Sequence, residues 1–286
     1  MRVGFFQFAP EFAAKTANLA KVERALSAAD ADLIVLPELF STGYCFSSRD
    51  EIFGLAEDLH TGPTATRLAA LARETGITIV AGIAERSSDA LYNSCLVVAP
   101  GGNRRTYRKI HLFDREKQLF DRSDTRPGVW AVPGRDKAIP RVAPFPDRIG
   151  GQDFAQIGVM ICFDYFFPEL ARTLALAGAQ IICHPANLIL PHAQQITVTR
   201  ALENRVFWIL CNRTGAEEHA GQSLTFTGQS QIIAPSGEIL FRAGIGDEVL
   251  KVVDIEPVEA DNKIVGNNHL FKDRRPDMYD TESPKS

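Results

Sequence analysis

The chain has 286 residues, 45% of them hydrophobic and 23% charged, with a formal net charge of −4 at pH 7. That composition fits a globular chain with one large α/β domain or two small ones, and it lacks the basic surplus of a nucleic-acid binder. No apolar run approaches the roughly 20 residues of a membrane-spanning helix, and residues 1–8 turn polar too soon to read as a secretory signal.

Residues 1–8 read instead as a first strand. Between 16 and 29, Leu19, Val22, Ala25, Leu26 and Ala29 recur at helical spacing. A buried-type strand over 32–36 follows, and Glu38 stands just past its end. A carboxylate there is either an ordinary surface group or, in its apolar company, a base whose pKa burial raises toward neutrality. Thr61-Gly62-Pro63 opens a second helix that runs to about Thr75, with Gly76 as its stop. Strands over 77–84 and 92–99 are joined across 87–90. The turn Pro100-Gly101-Gly102-Asn103 then leads into a strand over 104–108 that delivers Lys109. Beyond Lys109 comes a run of more than forty residues with weak periodicity, containing His111, Glu116, Phe120 and Gly128. Loops of that length in compact domains are functional or disordered, and this one is expected to wall a pocket.

The next stretch organises the rest. Residues 157–161 form an apolar run of strand length, Cys162 ends it, and Pro168 opens a helical pattern that Gly178 closes. Residues 180–184 are the following strand. In this β-Cys-α-β unit the thiol lies at a strand's carboxyl end, where open α/β sheets bind ligands, and a helix amino terminus there favours a thiolate. Cys162 is therefore a nucleophile or, as most cysteines are, a small buried hydrophobe. Asn187 follows the next strand, a helix spans about 193–205, and strands are expected over 206–211, 229–234, 239–242 and 249–255. From Asn262 the chain is polar. One domain with a tail is the simplest division.

The five cysteines, at 45, 95, 162, 183 and 211, form neither a CxxC pair nor a zinc spacing. An odd count with several in apolar runs fits reduced thiols and a cytoplasmic location. Cys183, His184 and His192 could be imagined as metal ligands, but no matching cluster stands elsewhere. No metal and no cofactor are expected.

With these residues in view, the chain resembles the nitrilase superfamily of carbon–nitrogen hydrolases. The matching pieces are LPELF around Glu38, YRKIHLF around Lys109, GVMICFDYFFPE around Cys162, HPAN at 184–187, RALENR at 200–205, CNRTG at 211–215 and GQS at 228–230. They keep the family's order over nearly the whole chain. The resemblance implies an α/β fold, a four-layer αββα sandwich of the nitrilase type, with a carbon–nitrogen hydrolase domain over 1–260. It also implies a homodimer or higher homo-oligomer, with the tail, 261–286, at the dimer interface. The family triad falls on Glu38, Lys109 and Cys162, with a second glutamate at Glu116. Phe163, Tyr165, Phe166 and Asn187 are the candidate substrate contacts.

That set suits attack on an amide carbon, a poor electrophile. Cys162 would add to it, Glu38 would move the proton, and Lys109 with the Phe163 N–H would hold the developing oxyanion. A small carboxamide is the expected substrate; nitriles and N-carbamoyl compounds use the same groups. Two other classes stay open. A Cys–His hydrolase would use His184, although the turn lacks the glycines usual at a nucleophile elbow. A non-catalytic small-molecule binding protein would leave Cys162 inert.

Overall fold

The computed structural model describes residues 1–134 and 154–279. The first half contains β1 (Arg2–Gln7), α1 (Lys15–Ser27), β2 (Leu33–Val35), α2 (Arg49–Leu55), α3 (Pro63–Thr75), β3 (Thr78–Ser87), β4 (Ala90–Val98) and β5 (Arg104–Arg108). After the short α4 (Glu116–Leu119) come β6 (Val129–Pro133), β7 (Phe154–Val159), α5 (Pro168–Leu176), β8 (Ile181–Pro185), α6 (Ala193–Asn204) and β9 (Phe207–Cys211). A hairpin of β10 (Ala216–His219) and β11 (Gln222–Thr225), then β12 (Gln231–Ile233), β13 (Ile239–Arg242) and β14 (Val249–Asp254), complete the sheets.

Two six-stranded sheets result, in the orders β14-β1-β2-β3-β4-β5 and β13-β12-β9-β8-β7-β6. Each has three central parallel strands, with one antiparallel strand at one edge and two at the other. Strand side chains alternate between faces, and the buried residues follow that period. Val3, Phe5, Leu33, Val35, Val80 and Cys95 point to the core shared with the second sheet, which also holds Ile157, Ile181 and Trp208. Their neighbours Ile34, Leu36, Ile79 and Leu96 turn outward onto Val22 and Leu26 of α1 and Leu68 and Leu71 of α3. Helices α5 and α6 cover the other sheet, with Leu174 over the bare face of Gly158. The molecule is the αββα sandwich that the resemblance implies.

The proline and glycine signals hold: Pro63 and Pro168 open α3 and α5, and Gly76 closes α3 at φ 74°. Three features depart from the sequence reading. Helix α2 has only Ile52 buried, so it carries almost no apolar period and is fastened instead by Ser48, which accepts from the Glu51 N–H at 3.2 Å. Strand β6 lies inside the weakly periodic run expected to wall a pocket. It pairs on one side only, with β7, and an edge strand of this kind tolerates Pro133. The β10–β11 hairpin is half exposed and equally silent in the pattern. Residues 135–153 of the expected wall and 280–286 of the tail lie outside the described residues. Among the described residues, no helix is long and apolar enough to cross a membrane.

Candidate active site

Three strand ends deliver Glu38, Lys109 and Cys162 to one place between the sheets. Past β2 the chain stays tied to β3, with the Leu36 N–H donating to the Val80 carbonyl at 2.8 Å and the Gly82 N–H to that of Pro37 at 3.2 Å. A Cβ on residue 82 would stand 2.4 Å from the Glu38 Cα, so only glycine lets Glu38 lie so close against β3. Lys109 leaves β5 with its N–H on the Asn93 carbonyl at 2.8 Å. The Asn93 side chain, on β4, donates to Glu38 Oε1 at 2.7 Å. One residue of β4 thus fixes both the lysine backbone and the glutamate carboxylate.

The Lys109 ammonium sits between two carboxylates, 2.8 Å from Glu38 Oε1 and 2.8 Å from Glu116 Oε2, and all three side chains are buried. Burial by itself would lower the lysine pKa, but Glu116 and Glu38 outweigh it and raise it above the ordinary lysine range, so the cation is permanent. Burial raises the Glu116 carboxyl above its usual value, with Lys109 pulling against the rise and Glu38 adding to it. Tyr44 donates its hydroxyl to Glu116 Oε1 at 2.7 Å, and the Phe113 N–H reaches Oε2 at 3.2 Å. Glu116 therefore belongs to the cluster and is no solvated surface charge. The second oxygen of Glu38, Oε2, is buried with no hydrogen-bond partner. An orphaned carboxylate oxygen beside a thiol is an acceptor in waiting, since leaving it unpaired costs stability.

Cys162 begins a 3-10 turn, Cys162–Phe166, with φ at 43°, the left-handed region that side chains other than glycine enter only under strain. Two buried side chains, Asp164 and His184, hold the strained turn. Asp164 is fully buried and accepts from the Ile161 N–H at 2.9 Å, the Tyr107 hydroxyl at 2.7 Å and His111 Nδ1 at 2.8 Å. His184 Nε2 meets the Cys162 carbonyl at 2.9 Å. An elbow thus exists without the glycines whose absence the sequence reading stressed. The expected thiolate is also corrected. Burial raises the Cys162 thiol well above its ordinary range, and Glu38 and Glu116 add to the rise. Lys109 and the Asn187 N–H on the sulfur oppose them without prevailing. The α5 amino terminus begins at Pro168, a full turn away, and offers too little. The resting sulfur is a thiol that needs a base.

His184 is not that base. Its Nε2 is committed to the Cys162 carbonyl, its Nδ1 accepts from Trp208 Nε1 at 3.1 Å, and burial lowers its pKa to about 4. With both nitrogens occupied it is a neutral brace, which also disposes of the imagined ligand pair with Cys183. Among the described residues no group of metal-ligating side chains clusters.

A small cavity opens onto the sulfur, lined by Tyr44, Phe113, Phe163, Tyr165, Asn187 and the apolar segment 188–190. Phe113 comes from the run expected to wall a pocket. Of the expected substrate contacts, Phe163, Tyr165 and Asn187 face this space. Phe166 does not. One 3-10 turn beyond Phe163, it is 46% exposed, with its ring 5.9 Å from that of His192.

Several residues that hold the site were not read from the sequence. Tyr44 is itself held by Glu217, whose Oε1 accepts its N–H at 2.8 Å as well as that of Cys45. Glu217 in turn pairs with buried Arg213, which stacks on Phe226. Asn93 could have been suspected, as a polar residue within the apolar run of β4. Tyr44 and Glu217, far apart in sequence, gave no such sign.

Fold and site together define a class, an α/β enzyme that cleaves carbon–nitrogen bonds. The model of the carbon–nitrogen hydrolase family matches residues 2–262, and the chain belongs to that family. It is 42% identical over 283 residues to a nitrilase of Pyrococcus abyssi (strain GE5 / Orsay), covering 98% of this chain and 99% of that one. It is 31% identical over 288 residues to an N-carbamoylputrescine amidase of Solanum lycopersicum, covering 92% of this chain and 88% of that one. In three dimensions it is similar to the crystal structure of an amidase from Nesterenkonia sp., with a TM-score of 0.73 and 23% identity, covering 97% of this chain and 94% of that one.

Proposed function

We propose that the chain hydrolyses small carboxamides to carboxylic acid and ammonia, with Cys162 as nucleophile, Glu38 as general base and acid, and Lys109 as oxyanion holder. The observation that carries this reading is the unpartnered Glu38 Oε2 in a buried cluster whose charges all act on the Cys162 thiol. In the first half-reaction Glu38 takes the thiol proton as sulfur bonds to the amide carbon. The carbonyl oxygen gains the negative charge and meets the fixed Lys109 cation and the Phe163 N–H. As the oxyanion collapses, the carbon–nitrogen bond breaks and Glu38 returns the proton to the leaving nitrogen, which departs as ammonia. Glu38 then removes a proton from water as the water oxygen attacks the thioester carbon; the carbon–sulfur bond breaks, Glu38 returns that proton to the sulfur, and the acid leaves.

Glu116 keeps the Lys109 charge in place. Removing one oxyanion donor from such a site costs roughly 3–4 kcal/mol of transition-state stabilisation. The neutral lining of the cavity favours an uncharged amide over an N-carbamoyl polyamine. The proposal extends to a homodimer or larger assembly bearing on residues 261–286, to a hydrolase domain over 1–260, and to a cytoplasmic setting.

The test is ammonia release from a panel of small amides, nitriles and N-carbamoyl compounds, with Cys162→Ala as control and intact mass read for an acyl adduct on Cys162. Release from amides that the Cys162→Ala variant lacks, with the adduct mass, supports the reading. Release from nitriles alone moves the substrate class, and no release with Cys162 inert to iodoacetamide leaves a binding protein.

A further inference from the structure

Among the described residues that line the cavity, the proposed chemistry leaves two polar side chains unused. Asn187 is 3% exposed and lines the cavity, yet neither its Oδ1 nor its Nδ2 has a hydrogen-bond partner. Tyr165 is 1% exposed and lines the same cavity, and its hydroxyl is also without a partner. Buried polar atoms are paired in all but a few cases, and each exception carries a desolvation cost that a ligand can recover. Two such groups, on residues that line one small space next to a nucleophile, suit a recognition element for the acyl part of a substrate.

The position of Asn187 says which part of the ligand it would meet. Asn187 lines the same cavity as the Cys162 sulfur, which sets it near the acyl group that the sulfur would attack. Leu188, Ile189 and Leu190 continue from it as the apolar wall. The reacting amide is already provided for, its oxygen by Lys109 and its nitrogen by Glu38 Oε2. What remains for Asn187 is a group on the acyl chain one or two carbons from the carbonyl. An amide side chain with both atoms unpaired matches a group that both donates and accepts. The hydroxyl of Tyr165 has the same dual character. The described residues that line the cavity carry no charged side chain, so a charged substituent would enter without a counter-ion there.

We infer that Asn187, assisted by Tyr165, selects carboxamides bearing a neutral hydroxyl or second carboxamide close to the scissile carbonyl, over plain alkyl amides and over charged ones. This rests on the amidase reading and narrows it to a substrate class. Tyr165 and Asn187 then act as specificity residues, touching the acyl chain and taking no part in proton transfer.

The experiment compares kcat/KM within pairs of nearly equal shape: lactamide against isobutyramide, and malonamide against isovaleramide. Malonamate and glycinamide serve as the charged arms. The wild-type chain is expected to prefer the polar member of each pair by about tenfold and to turn over both charged amides more slowly than either polar one. In Asn187→Leu that preference is expected to fall toward one, and in Tyr165→Phe to shrink without vanishing. Because the readout is a ratio within one protein, a partial loss of folded enzyme does not distort it. The wild-type ratio decides the matter even where a variant fails to fold. Equal or reversed preference in the wild type, or a preference that survives Asn187→Leu, overturns the assignment and leaves the amidase reading intact. Absence of ammonia from every amide overturns both.

Discussion

Replacing Glu38 by Gln removes one negative charge at nearly constant size, and that charge has two opposing effects on the sulfur. In the proposed reaction it accepts the thiol proton through its unpartnered oxygen, while its field is also one of the influences that keep the thiol protonated at rest. Loss of a positioned general base lowers turnover by roughly 10²–10⁴, or about 3–5 kcal/mol of barrier. Stability suffers less. Gln keeps an acceptor oxygen for Asn93 and Lys109, which now reach Oε1 at 2.7 and 2.8 Å, and Glu116 still neutralises the ammonium. The cost should stay below the roughly 3–5 kcal/mol of stripping a buried ion of its partner. The assay follows ammonia release and iodoacetamide labelling of Cys162 side by side across pH. The E38Q variant is expected to lose turnover and yet to be alkylated faster at a given pH, because the carboxylate opposing the thiolate has gone. Labelling that slows in step with turnover would refute the claim that the Glu38 charge holds the sulfur protonated.

Tyr44→Phe removes a 2.7 Å hydrogen bond to a buried carboxylate. Bonds to charged groups are worth about 1.5–3 kcal/mol, so kcat is expected to fall about ten- to a hundredfold, and an unchanged kcat would show that Glu116 needs no such support. His184→Gln tests the brace. The histidine pKa is lowered to about 4, so between about 6.5 and 4 the unfolded chain binds a proton that the folded chain refuses. Its contribution to stability is therefore full above about 6.5 and drains away as pH falls toward 4. Thermal melts should show that acid limb flattened in the variant, with activity reduced less than tenfold; a loss of a thousandfold would revive the Cys–His reading. Cys162→Gly should melt above Cys162→Ala, since glycine enters the left-handed region freely, by about 1 kcal/mol. Equal melting temperatures would mean that the elbow stores no strain.

Much of the sandwich was legible because its signals are local. Apolar runs over 32–36 and 157–161 and the strand that follows the turn at 100–103 each lead into a functional residue, and Pro63, Gly76 and Pro168 mark helix ends within a turn of where they act. Helix α2 and strand β6 escaped because one buries a single side chain and the other pairs on one side only. The misreading of the sulfur had a different cause. A helix amino terminus is visible in sequence, but the burial of Cys162 and the carboxylates beside it are not.

An acid, an amine and a thiol, each set at a strand end, could be placed in order from local pattern, because periodicity and turn chemistry act over a few neighbouring residues. Tertiary structure alone decided what those groups are in each other's company: a permanent cation between two carboxylates, a protonated sulfur in a left-handed turn, a neutral histidine. It also decided who holds them, through Asn93 across 55 residues to Glu38, Tyr44 across 72 to Glu116, and Glu217 across 173 back to Tyr44. Desolvation and pairing depend on which distant side chains arrive at the same point, and no local pattern encodes that arrival.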